Sequence, residues 1–294
     1  MASKQTKKDG FWETLKTVFW ALVIAMAFRT TLYQPFSIPS GSMKPTLLVG
    51  DYLFVSKFSY GYSHYSLPFA PDWFDGRVWA EMPERGDVVV FKRPGRDACT
   101  GGPLDMVAGI VRPIFGGHRR AADDCVDYVK RVVGLPGDRI QVRSGILHIN
   151  GQALKTERAG DFVEPKVPRG SPPGLPRCNN EPVAHGGDCV KELWRETLPG
   201  DREHSVLNLD GIVGDTSAPP YRTADNTPEF VVPKGHLFFM GDNRDNSIDS
   251  RFREIGFVPL ENLIGRAEVI APSSDGAFWQ PWNWRFDRFF KSIE

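Results

Sequence analysis

Two segments carry side chains that could do chemistry together. In Pro39-Ser40-Gly41-Ser42-Met43-Lys44-Pro45-Thr46-Leu47 two serines flank a glycine between stiffening prolines, a pattern suited to a tight turn that presents hydroxyls with the backbone close to a ligand. In Tyr128-Val129-Lys130-Arg131-Val132-Val133-Gly134 a lysine stands inside an apolar run. Strand alternation puts Lys130 on the face of Tyr128 and Val132 and turns Arg131 to the other face. A serine hydroxyl is a weak nucleophile near neutral pH, and an uncharged lysine amine can serve as its base without any histidine. Burial favours that neutral form, because desolvation penalises the ammonium. The alternative for Lys130 is to snorkel to the rim or pair with a carboxylate.

The six histidines, at 64, 118, 148, 185, 204 and 236, fall into no triad or metal spacing, and neither G-x-S-x-G nor S-x-x-K occurs. A histidine-dependent hydrolase is a poor fit. Asp245, Ser247 and Asp249 alternate as in a calcium loop, but no Gly stands sixth and no Glu twelfth, and Arg244, Arg251 and Arg253 would repel a cation. No metal and no cofactor is expected.

The elements that must hold these residues read as mostly β. Tyr52–Val55, Val88–Phe91, Tyr128–Val133, Ile140–Val142, Ile146–Ile149, Phe230–Val232 and Leu237–Met240 are short apolar runs bounded by Gly, Pro or Asp. Asn150-Gly151 signals a hairpin after the fifth of them. Lys plus Arg and Asp plus Glu each number 36 in 294 residues, so no basic field exists to hold nucleic acid.

At the N-terminus Lys4, Lys7 and Lys8 precede Val18–Phe28, which lacks any polar residue. A helix over residues 15–32 would reach roughly 27 Å, close to a hydrocarbon core of about 30 Å, with the lysines held in the cytoplasm. A cleavable signal peptide ending at Ala25-Met26-Ala27, or a buried core helix, would also fit this run. Both export readings put the bulk outside, where disulfides persist. Cys99 with Cys125 and Cys178 with Cys189 form local pairs, each worth about 3 kcal/mol if bridged; free thiols remain the alternative. The Trp- and Phe-rich stretch Phe278–Phe290 suits either a membrane interface or a closing helix packed on the domain.

The two opening segments, with Gly241-Asp242-Asn243-Arg244-Asp245-Asn246-Ser247-Ile248-Asp249-Ser250-Arg251, resemble the signature boxes of the bacterial type I signal peptidases. The resemblance spans about residues 33–60, 84–94, 126–151 and 235–268. It implies a β-rich catalytic domain with a smaller inserted lobe behind one transmembrane helix. It further implies Ser42 as nucleophile, Lys130 as general base, an oxyanion hole from the Ser42 backbone N–H and the Ser40 hydroxyl, Ser247 orienting the lysine, and an Asp249–Arg251 brace. Phe36, Ile38, Pro39, Met43, Leu47, Tyr128 and Val129 match residues lining shallow pockets for small side chains at −1 and −3. The loop after Arg251 is two residues longer than the shortest family version, so its geometry is open.

The expected organisation is a cytoplasmic tail at 1–14, a transmembrane helix at 15–32, catalytic segments at 33–98, 126–153 and 230–272, an inserted loop at 99–125, an inserted lobe at 154–229 standing apart from the site, and an aromatic tail at 273–294. The expected setting is the bacterial inner membrane, with the catalytic domain on the periplasmic face. Signal peptides of preproteins and membrane lipid are the expected partners, near the export translocon. A related organellar peptidase with other clients and an inactive tethered interaction domain are the alternatives.

Overall fold

The computed structural model describes residues 5–66, 76–95, 127–209, 224–276 and 279–293. Helix α1 runs Gln5–Thr31. It begins ten residues before the apolar expectation, and its stretch Gly10–Thr31 is long and apolar enough to cross a membrane. None of that stretch is buried against the rest of the chain, which removes the core-helix alternative. Tyr62 donates its hydroxyl hydrogen to Thr31 O at 2.5 Å, tying the helix end to the domain.

The domain is mostly β. Strands β1 Tyr33–Ser37, β2 Asp51–Ser56, β3 Val88–Lys92, β4 Asp127–Gly134, β12 His236–Met240, β13 Val258–Pro259 and β14 Leu263–Ser273 form one antiparallel sheet in the order β1-β2-β14-β3-β4-β12-β13. The central strand β3 is apolar from Val88 to Phe91 because both of its faces are covered. Val88 and Val90 pack with Leu53, Val55 and Ile264 on one face, while Val89 and Phe91 pack with Val132, Leu237 and Phe239 on the other. Each such side chain contributes about 1.5–3 kcal/mol by leaving water.

A second sheet joins β5 Arg139–Arg143, β6 Ile146–Ile149, β7 Gln152–Ala153 and β11 Phe230–Val231. Its β6–β7 turn is the expected hairpin, with φ 54° at Asn150 and 81° at Gly151, as a type I′ turn requires. All seven expected strands are present.

The inserted lobe is a third sheet of β8 Lys155–Pro165, β9 Asp188–Leu198 and β10 Arg202–Asn208. The Cys178–Cys189 disulfide closes it, S–S 2.01 Å; Cys99, Cys125 and the 99–125 loop lie outside the described residues. The lobe does not stand apart. Arg244 forms a two-pronged buried pair with Glu196, Nη1–Oε1 3.0 Å and Nη2–Oε2 2.5 Å, and Leu207 N–H donates to Asp242 O at 2.8 Å. Arg244 and Asp242 both belong to the segment Gly241–Arg251, so the lobe buttresses that segment from the side.

The C-terminal segment is not a helix. It makes 3-10 turns at Pro281–Asn283 and Phe286–Arg288, and Phe290 N–H donates to Ile270 O at 2.8 Å while Arg288 grips the buried Asp51 carboxylate. Trp279 and Trp282 stay 81% and 78% exposed.

Candidate active site

The turn after β1 and the middle of β4 meet where the chemistry needs them. Lys130 pairs in register with Val89 of β3, which places its side chain inside the sheet's packing, 3% exposed. Its Nζ donates to Ser42 Oγ at 2.6 Å and to Val129 O at 3.1 Å, and lies 5.8 Å from the centre of the Tyr128 ring. Burial drives the amine down from 10.5 to about 8; Asp249 and Asp242 pull upward against it, and Arg251 adds to the fall. Ser42 is buried beside it, and its Oγ shares a hydrogen bond with Ser40 Oγ at 3.3 Å. Ser40 and Pro39 are exposed, so the turn opens to solvent on that side.

The third segment clamps the turn. Asn243 donates its backbone N–H to Ser42 O at 3.0 Å and its side-chain amide to Gly41 O at 2.9 Å. Gly241 makes this approach feasible: a Cβ there would stand 2.7 Å from Ser42 O and 2.2 Å from Ser247 Oγ. Asp249 accepts from Gly241 N–H at 3.0 Å and takes two bonds from Arg251, each 2.9 Å. Burial alone would raise the Asp249 carboxyl, but the Arg251 guanidinium overrides it and holds it below the ordinary range. Ser247 is buried and its Oγ has no hydrogen bond of good geometry, although it stands close enough to help the Asp249 charge.

Of the residues matched to substrate pockets, Ile38, Met43 and Leu47 are sunk in the core, with Phe36 and Val129 packed over them. Tyr128 packs against the neighbouring cluster. Tyr128 and Val129 thus sit on opposite faces of the sheet, and the cluster of Ile38, Met43 and Leu47 lies at the foot of the turn.

Sequence reasoning assigned no role to Asn243, although it lies inside the quoted segment, since spacing does not say which carbonyl an amide will meet. It also sent Arg131 outward. The side chain does point away from Lys130, but the other face is covered, and Arg131 makes a buried pair with Asp242, Nε–Oδ1 2.9 Å and Nη2–Oδ2 2.8 Å. Thr46 of the turn that carries Ser42 donates to the same carboxylate at 2.5 Å.

Fold and site together define a β-rich serine hydrolase. Comparison with known proteins narrows the class. The sequence model of the family described as "Signal peptidase, peptidase S26" matches residues 11–271, and the chain belongs to that family of serine endopeptidases. It is 35% identical to the signal peptidase I of Rickettsia typhi over 93% of this chain and 90% of that protein. The signal peptidase I of Rickettsia canadensis is 34% identical over 95% and 92%. A solved signal peptidase I from Enterococcus faecalis V583 aligns with 63% of this chain and 97% of its own, at 17% identity and a TM-score of 0.27, too low to bear on the argument.

Proposed function

We propose that this chain is a membrane-anchored signal peptidase that cuts exported preproteins after small residues at −1 and −3, with Ser42 as nucleophile and neutral Lys130 as general base. The 2.6 Å Lys130 Nζ–Ser42 Oγ bond, in a site that depresses the lysine pKa, is the observation that carries this reading. The amine takes the Ser42 proton as Oγ attacks the scissile carbonyl carbon. The Ser42 backbone N–H and the Ser40 hydroxyl stabilise the oxyanion, and the Lys130 ammonium returns a proton to the departing amine of the mature chain. Water then attacks the acyl-enzyme with Lys130 again as base, freeing Ser42 and the signal peptide's carboxylate. Ser247, whose buried hydroxyl stands beside the Asp249 carboxylate rather than bonded to Lys130, is assigned the orienting of the amine by its match to the family, and the Asp249–Arg251 pair braces that segment. Phe36, Ile38, Pro39, Met43, Leu47, Tyr128 and Val129 are assigned to the shallow −1 and −3 sites by their match to the family, and the apolar packing around Ile38, Met43 and Leu47 supports a preference for small side chains.

The chain crosses the bacterial inner membrane once through α1, with Lys4, Lys7 and Lys8 inside and the domain on the periplasmic face, near lipid and the translocon. Ser42 follows the helix end at Thr31 by eleven residues, a reach of at most about 40 Å, so the site stays near the bilayer surface. The test is cleavage of a preprotein with an Ala-x-Ala site by the full chain in detergent. Ser42→Ala and Lys130→Met should each lower turnover by at least about 10⁴-fold; full activity in either would overturn the reading, and no cleavage by the parent chain would favour the inactive interaction domain.

A further inference from the structure

We propose that a cavity beside the nucleophile turn, walled by the inserted lobe, receives the first residues of the mature chain and prefers an acidic side chain there. The assignment rests on the peptidase reading above. The cavity, about 220 Å³, is lined among others by Ser40, Gly41, Lys44, Glu164, Lys191 and Asn246. The lobe is fitted to the turn at its edge. Ser171 N–H donates to Pro39 O at 3.1 Å, and Gly170, with φ 95°, lies so close that a Cβ would stand 2.4 Å from that carbonyl.

Direction follows from the turn. A substrate whose −3 and −1 side chains lie against Phe36, Ile38 and Pro39 approaches along the chain that leads into Ser40. Its scissile carbonyl then sits over Ser40 and Ser42. The residues beyond leave past Ser40 and Gly41, which form one wall of this cavity.

The chemistry of the cavity selects what arrives. Lys191 Nζ donates to Glu164 Oε1 at 2.8 Å, and Lys44 pairs with the other carboxylate oxygen. All three side chains are buried. Two ammonium groups therefore share one carboxylate, and a positive charge is left over where water is scarce. Burial accordingly lowers the Lys44 amine, although Glu164 opposes it. Arg169 adds a third cation at the rim, paired outside the cavity with Asp275. Among the described lining residues Glu164 is the only acid. A carboxylate on the substrate would complete the second pair, whereas a lysine or arginine there would meet the surplus charge without a partner.

The test uses the full chain in detergent with preproteins identical through −1 and carrying Glu, Ala or Lys at +1, +2 or +3 in turn. The expected ratio of kcat/KM for Glu over Lys is about tenfold at one or more of these positions, and it shrinks as salt is raised. Lys191→Met leaves Lys44 and Glu164 as a balanced pair and should bring that ratio within about twofold of one, while Lys191→Arg should preserve it. Because each ratio is taken within one variant, a lowered fraction of folded enzyme cancels. Cleavage of every substrate at equal rates, or a ratio that survives Lys191→Met, overturns the cavity assignment and leaves the peptidase reading standing. Failure to cleave any of them overturns the peptidase reading itself.

Discussion

At the scale of single residues, the site depends on groups that position as much as on groups that react. Ser42 and Lys130 were legible in the sequence because their surroundings are unusual: a hydroxyl between prolines, and a lysine in a run of valines. Asn243 was not, since an amide in a polar loop is ordinary until its partner is known. In the structure it holds both the Gly41 and Ser42 carbonyls, which fixes the turn that carries Ser42. Removing the side-chain half of that hold, the bond to Gly41 O, while the backbone bond to Ser42 O remains, should let the turn and Ser42 drift from the line of attack. Asn243→Ala is therefore expected to lower kcat by about 10²-fold, with KM and the melting temperature little changed. Unaltered kcat in that variant would show that the turn holds its shape without the clamp.

At the scale of elements, β4 reverses a simple expectation. One strand delivers Lys130 to the site and Arg131 to the opposite face, as alternation requires, but that face is not solvent because the lobe and the third segment cover it. The lobe itself was hard to read. Strand β8 is rich in charged residues and largely exposed, so it lacks the alternation that reveals a half-buried strand. Strand β14 shifts register twice along its pairing with β2, which scrambles its pattern, and β1 contains a proline, tolerated there because it is an edge strand. The short apolar runs of β3, β4 and β12 were readable even though the β4–β12 pairing shifts register at Phe238 and Phe239. The Arg131–Asp242 pair anchors β4 to the third segment, and breaking one side leaves a buried charge alone. Asp242→Ala should cost about 3–5 kcal/mol in denaturant unfolding, whereas Arg131→Met combined with Asp242→Leu should cost less than Asp242→Ala alone. A double variant no better than the single one would mean that packing, not charge, sets the loss.

At the scale of the whole molecule, the mostly β class and the single N-terminal apolar helix were visible in composition and patterning. The end of the chain was not: its described residues form single 3-10 turns rather than an α-helix, and the segment docks through its backbone and through Arg288 on Asp51 while Trp279 and Trp282 face outward. The reactivity of Lys130 is likewise a property of the entire fold. The sheet behind it, the third segment above it and the carboxylates of Asp249 and Asp242 together set its pKa near 8. The sign follows directly: only the uncharged amine can take the Ser42 proton, so activity is full above that pKa and lost as pH falls through it. The most direct measurement is kcat/KM for a preprotein in detergent across pH of about 6 to 10, which reports ionisations of the free enzyme. A rise of about tenfold per pH unit that levels off near pH 8 is the expected result. A profile that is flat through this range, or one still rising at the pKa of a free lysine, about 10.4, would contradict a neutral Lys130 as the base.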